Sequence, residues 1–295
     1  MVSTPPIQWY PGHIAKAERA LLDQLKRVDL VFEVRDARIP LASRHPKVLH
    51  WIGEKPRILV LNRMDLISAA ARDHWREYFK AIGETPFFTN AQAGKGLQNV
   101  MQASQAAGKQ LNQRRRDRGM LPRPVRAVVI GFPNVGKSAL INRLLKRRIV
   151  ESARRPGVTR QLRWVRVSQE LELLDAPGVL PAKLTDQSAA YRLAMCDDIG
   201  QAAYDNQRVC AQLIEQLQQI EAYNEVVTHY VPCHVLASRY DLALTDQSGD
   251  EYLAELAQLN HRGDVERTAQ QVLNDFRKGM LGAIALETPP ENSTI

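Results

Sequence analysis

Through the first two thirds of the chain, short runs of apolar and β-branched residues alternate with stretches in which apolar positions recur every three or four residues. The first pattern belongs to strands buried on both faces, the second to helices that lay one stripe against them. Strands are expected at Leu30 to Val34, Arg57 to Leu61, Pro86 to Thr89, Val125 to Ile130, Leu162 to Val167 and Leu171 to Leu174. Helices are expected at about Ile14 to Lys26, Ala69 to Ile82, Leu97 to Gln110 and Lys137 to Lys146. This order predicts an α/β fold with an open, wound, parallel-type sheet. Asn112 to Pro124, with Arg114, Arg115, Arg116, Arg118 and two prolines, reads as a linker joining two parts of that sheet.

After about Thr185 the strand signal stops and helical periods take over. Val209, Leu213, Leu217 and Ile220 share one helix face, and Val265, Ala269, Val272, Leu273 and Phe276 share another. Asp264 is placed to cap the second of these helices. The reading is therefore two domains, residues 1–184 with the sheet and 185–295 a small all-α domain, which a chain of 295 residues is long enough to build. From Glu287 onward, with Pro289 and Pro290, the tail is expected to fray.

Composition narrows the class. No apolar run is long enough to span a bilayer, and Met1 to Tyr10 lacks the basic and apolar regions of a secretion signal, so the cytoplasm is expected and a membrane partner is not. Cys196, Cys210 and Cys233 are widely spaced, with no CxxC pair, and read as buried thiols. The net charge of +8 is unevenly spread: from Lys109 to Arg166, 17 Lys and Arg face only Asp117 and Glu151, whereas Ala190 to Ile295 holds 16 acidic against 7 basic residues. Such a basic stretch favours a polyanion through counterion release, with RNA the natural candidate and DNA not expected. From charge alone, a loop that merely keeps the protein soluble is an equal reading.

The strand at Val125 to Ile130 runs into Gly131-Phe132-Pro133-Asn134-Val135-Gly136-Lys137-Ser138-Ala139, which fits GxxxxGK[ST] and precedes a helical pattern. Such a loop wraps its N–H groups around phosphates, aided by the helix dipole. Lys137 is suited to the β and γ phosphates, and the Ser138 hydroxyl to Mg²⁺. Asp175-Ala176-Pro177-Gly178 closes a later strand: Asp175 is placed to hold Mg²⁺ from the other side, and the Gly178 N–H to sense the γ phosphate. Thr159, in a basic Pro-Gly-Val-Thr loop, either closes over the metal in the triphosphate state or simply makes a surface turn.

Asn62-Arg63-Met64-Asp65 resembles the NKxD guanine motif, in which a buried Asp65 carboxylate would accept from guanine N1 and N2 and reject adenine. Arg63 replaces the usual lysine, which packs on the base and braces the phosphate loop. Thr89-Asn90-Ala91 resembles the SAK element, with the Ala91 N–H set for guanine O6. In ordinary GTPases these base motifs follow the phosphate loop; here they precede it. The wound sheet tolerates that reordering because its natural ends lie close together. The chain beyond Gly178 then leads straight into the helical domain, tying the γ-phosphate sensor to it.

With this permuted order, the opening Trp9-Tyr10-Pro11-Gly12-His13-Ile14-Ala15-Lys16-Ala17 and Arg35-Asp36-Ala37-Arg38-Ile39-Pro40 resemble the RbgA (YlqF) family of circularly permuted GTPases. The resemblance implies a P-loop GTPase fold and a cytoplasmic, GTP-hydrolysing factor in late maturation of the large ribosomal subunit, touching its rRNA and expected to be monomeric off the particle. Val179 stands where Ras-type enzymes place a water-orienting glutamine, so hydrolysis should be slow alone and stimulated by the particle. The resemblance gives the missing role to His13; the bland alternative is a histidine that anchors the N-terminal helix. Phosphate-loop asparagines in similar GTPases help hold K⁺, which makes Asn134 a candidate K⁺ ligand. Arg154, Arg155 and Arg160 could instead act as arginine fingers. The charge distribution assigns RNA mainly to Arg114, Arg115, Arg116, Arg147, Arg148, Arg154 and Arg155. Two other readings remain: a GTPase acting on tRNA or another small RNA, and a GTP-gated RNA-binding module that hardly hydrolyses.

Overall fold

The computed structural model describes residue 7 and residues 12–145, 163–175, 185–222, 230–232 and 234–290. Its elements are α1 (Gly12–Leu25), β1 (Leu30–Asp36), α2 (Val48–Ile52), β2 (Arg57–Asn62), α3 (Ala69–Ala81), β3 (Pro86–Thr89), α4 (Leu97–Asp117), β4 (Val125–Ile130), α5 (Lys137–Leu144), β5 (Arg163–Arg166), β6 (Leu171–Asp175), α6 (Gln187–Met195), α7 (Asn206–Ala222), α8 (Val235–Tyr240), α9 (Gly249–His261) and α10 (Val265–Arg277).

The strands form one sheet in the order β3-β2-β1-β4-β6-β5. Every neighbouring pair is parallel except β5 and β6. The all-parallel expectation is corrected at this edge, because only Val167 to Glu170 separate the two strands, and a parallel crossover needs about a dozen residues or more. The circular permutation is visible in the sheet. β1 to β3 come first in the chain yet occupy one flank of β4, and β6 occupies the other.

Alternation along the strands sends two apolar sets to opposite faces. Leu30, Phe32, Val34, Val60, Ala127 and Val129 join Val100 of α4 and Leu140 and Ile141 of α5 in one cluster. Val31, Val128, Ile130 and Leu174 meet Leu21 and Leu25 of α1 and Ile52 of α2 on the other face, where Leu59 and Leu61 pack on Trp75 and Phe79 of α3. Burying apolar side chains of this size contributes about 1.5 to 3 kcal/mol each, which is why both faces are covered. The first cluster continues without a break into Val209, Leu213, Leu217, Leu256, Val272 and Phe276 of the C-terminal helices.

Two further expectations change. α4 continues through Arg114, Arg115 and Arg116 to Asp117, so the arginine cluster sits on the last turns of a helix rather than in a linker. Arginine is a good helix former, and cations at a helix C-terminus suit its dipole. Glu287 is buried and accepts from the Leu41 and Ala42 N–H groups at 2.7 and 3.0 Å, so the tail is anchored there rather than frayed. Residues 284–286 also donate main-chain bonds to Leu66, Tyr230 and Arg38, and stitch the end of the chain to the sheet domain. The Asp264 cap is present, its side chain accepting from the Arg267 N–H at 3.0 Å. Cys196 and Cys210 are buried thiols, as expected, and Cys233 lies outside the described residues.

Candidate nucleotide-binding site

Because β1, β2, β3, β4 and β6 run the same way, their C-terminal ends line one edge. Asp36 pairs with Asn62, Asn62 with Thr89, and Val129 with Asp175. Open α/β sheets build their sites along this edge, where loops meet helix N-termini.

The phosphate loop between β4 and α5 has conformations that its residue types allow. Gly136 has φ +102, and a Cβ there would come within 2.1 Å of Asn62 Nδ2; at Gly131, φ +153, it would meet the Val34 carbonyl at 2.2 Å. Side chains at either position would close the loop. Lys137 is buried, and its Nζ donates to the Phe132 carbonyl at 2.6 Å, which folds the ammonium back over the loop. Val135, Ser138 and Ala139 lie in the loop and the first turn of α5, where main-chain N–H groups lack carbonyl partners within the helix.

Asn62, buried at the end of β2, joins this loop to the base motifs. Its Nδ2 donates to the Val135 carbonyl at 2.8 Å, and its Oδ1 accepts from Ala91 N at 3.0 Å and Thr89 Oγ1 at 3.1 Å. Three segments from distant parts of the chain therefore meet on one side chain. The Ala91 N–H already serves Asn62, so a guanine O6 would have to share it. Asn90 does not face that way; its Oδ1 accepts from Ala93 N at 2.8 Å and shapes the turn. Asp65 follows in a single 3-10 turn and is exposed, not buried as expected, because that short turn leaves it at the rim.

Arg63 does more than its motif suggested. In the left-handed region at φ 64, it donates to Asp36 Oδ2 at 2.7 Å, to the Cys196 carbonyl at 3.1 Å and to the Asn134 carbonyl. It thus braces the phosphate loop as the usual lysine would, and also grips the end of α6. Arg38 supports the same corner through Asp36, at 3.0 and 2.8 Å, and the Cys196 carbonyl, at 3.1 Å. Burial alone would raise Asp36, but the Arg38 and Arg63 charges outweigh it and hold the carboxyl below its ordinary range. Asn134, at φ 57, turns its side-chain amide to the Asp197 carbonyl at 2.7 Å. Sequence reasoning missed Asp197 and Asp198 entirely. The one available signal was acidic residues directly after the apolar helix face of α6, and nothing in that pattern specifies a partner.

Arg114, Arg115 and Arg116 are not near this edge. They end α4 beside Val125, where β4 begins, whereas the phosphate loop starts where β4 ends. Thr159, Gly178, Val179, Arg147, Arg148, Arg154, Arg155 and Arg160 lie outside the described residues. His13 falls within α1 and Asp175 ends β6, and the side chains of both also lie outside. Asp175 is nevertheless carried on the strand next to β4, one loop away from Ser138. Among the described residues no helix is long and apolar enough to cross a membrane.

Residues 126–262 match the family described as 50S ribosome-binding GTPase. The chain is 36% identical over 293 residues to the ribosome biogenesis GTPase A of Bacillus cereus, covering 97% of this chain and 95% of that protein. It is 29% identical to the mitochondrial ribosome-associated GTPase 1 of Xenopus tropicalis, covering 95% and 94%. Among solved structures, the GNP-bound YlqF of Thermotoga maritima shares the fold with a TM-score of 0.64, at 22% identity and 94% and 99% coverage.

Proposed function

Since the chain belongs to the ribosome biogenesis GTPase A (RbgA/YlqF) family, we propose that it binds and hydrolyses GTP while assisting assembly of the large ribosomal subunit in the cytoplasm, with rRNA in its contact surface. The observation that carries the nucleotide reading is the threefold bonding of Asn62 to the phosphate loop and to both sides of the Thr89–Ala91 turn.

Each residue then has a task. The N–H groups from Asn134 to Ala139 and the Lys137 ammonium hold the β and γ phosphates, and Asp65 and Ala91 read the base. Ser138 in the first turn of α5, Asp175 at the end of the adjacent β6 and Thr159 would hold a divalent ion through oxygen donors. Mg²⁺ held there would offset charge on the phosphates. Gly178 follows the γ phosphate, and His13 orients the attacking water. Asn134 offers its Oδ1 to K⁺, since its amide nitrogen is engaged by Asp197. The division at residue 184 leaves the helical part to report nucleotide state through Cys196 to Asp198.

Calorimetry with GTP, ATP and XTP tests the base reading. The native protein should prefer GTP over ATP by roughly 10⁴ or more, and Asp65→Asn should move the preference toward XTP. Equal affinity for GTP and ATP would overturn the reading. Single-turnover hydrolysis with large subunits present should exceed the rate without them; no stimulation would sink the assembly role.

A further inference from the structure

We propose that the cavity between the last turns of α4 and the turn entering β4 is a docking site for the phosphate backbone of structured RNA, on the sheet edge opposite the nucleotide. This rests on the rRNA reading above and gives it a location. The cavity, of about 260 Å³, is lined by Arg114, Arg115, Arg118 and Arg123, with Asn112 and Asp29.

Its walls are held in place by the protein itself. The Asn112 side chain clasps the main chain of Arg123 through N and O, both at 3.1 Å. Arg123 chelates Asp29 with two bonds of 2.8 Å, and Arg115 Nε donates to the Leu121 carbonyl at 3.1 Å. Gly119, at φ +72 with open space around it, makes the turn. Arg123 neutralises Asp29, the acidic group in the lining. The Arg114 and Arg118 side chains keep no hydrogen-bond or ion-pair partner among the described residues.

Complementing a helix C-terminus does not account for this. The dipole there amounts to about half a negative charge, and Arg114, Arg115, Arg116 and Arg118 exceed it several-fold. Exposed Arg27 lies two positions before Asp29, whereas the Arg126 guanidinium is paired with Glu172 at 3.4 Å, and Leu121, 84% exposed, lies in the turn between α4 and β4. The Arg114 and Arg118 guanidiniums, free of partners among the described residues and carried on a braced turn whose acid Arg123 neutralises, suit a polyphosphate chain more than a lone anion.

β4 separates this cavity from the phosphate loop by its full length, about 20 Å for six residues at about 3.3 Å each. None of the residues lining the cavity belongs to the phosphate loop, so RNA affinity here is expected to differ little between GDP and the GTP analogue.

The test is binding of a short RNA duplex and of an rRNA fragment by the full chain against Arg114→Ala/Arg118→Ala, across a salt series with GDP and with a GTP analogue. The variant should bind at least about tenfold more weakly at low salt, and lose about 0.7 to 0.9 units of slope per phosphate contact. Its GTP affinity and thermal midpoint should stay unchanged. If the native protein binds RNA and the variant keeps its full slope, the location is wrong and the rRNA reading stands. If the native protein binds neither RNA nor the large subunit, the rRNA reading itself fails. Polyglutamate binding with the same arginine dependence would instead identify an acidic protein partner and overturn the RNA assignment.

Discussion

The side-chain amide of Asn134 donates to the main-chain carbonyl of Asp197 across 2.7 Å, so the phosphate loop is fastened directly to the corner that follows α6. Both residues adopt left-handed backbone, φ 57 and 62, which presents their polar groups to one another. Whatever moves the phosphate loop therefore pulls on the corner between α6 and α7.

Asn134→Ala removes this link. A loss of about 0.5 to 1.5 kcal/mol in stability is expected from urea unfolding, the ordinary worth of a hydrogen bond. If Asn134 also holds K⁺, the native protein turns over faster in KCl than in NaCl and the variant shows no difference. Equal native rates in the two salts would remove the K⁺ role and leave the link intact.

Asp198 offers a pH test. It is fully buried, both its oxygens lack a hydrogen-bond partner among the described residues, and Arg63 stands 3.5 Å away. Burial first, and then the Asp36 carboxylate, push its carboxyl well above the ordinary range. A group whose folded pKa is raised contributes stability below its unfolded value, about 3.9 for aspartate, and loses it as pH climbs through the folded value. Asparagine does not titrate. Asp198→Asn should therefore gain stability relative to the native protein as pH rises above about 4, the unfolded value, measured by urea midpoints at several pH values. A variant equally destabilised throughout would mean that Asp198 is an ionised partner of Arg63.

Asn62→Ala strands the Val135 carbonyl, the Thr89 hydroxyl and the Ala91 N–H in a buried setting. Each orphaned group costs about 1 to 3 kcal/mol, so a loss of about 3 kcal/mol or more is expected, with GTP affinity falling at least tenfold. Gly136→Ala attacks the same contact from the opposite side, since its Cβ would collide with Asn62 Nδ2. Titration calorimetry should find nucleotide affinity at least tenfold weaker in both; undiminished affinity in either would mean that the contact is dispensable.

Arg63→Lys restores the residue that the motif usually carries, and still weakens the protein. One ammonium cannot reach Asp36, the Cys196 carbonyl and the Asn134 carbonyl with the geometry of a planar guanidinium. A loss of about 1 to 3 kcal/mol is expected by thermal or urea unfolding. Undiminished stability would show that the lysine spans the same corner.

The chain by itself determined the strands, most helix limits, the glycine-bearing phosphate loop and the reordered base motifs, because each follows from local periodicity or from a residue type that a turn demands. Leu30, Phe32 and Val34 declare a buried strand wherever they occur, and Gly136 marks a backbone that few other residues accept. Only the tertiary structure decided that Glu287 anchors the chain end, that Asp65 stands exposed, and that Arg63 and Asn134 reach Cys196 and Asp197. Those outcomes depend on which groups approach from 63 to 246 positions away, or on what cover a neighbouring loop supplies, and polar partnerships carry no periodic trace in the chain that makes them.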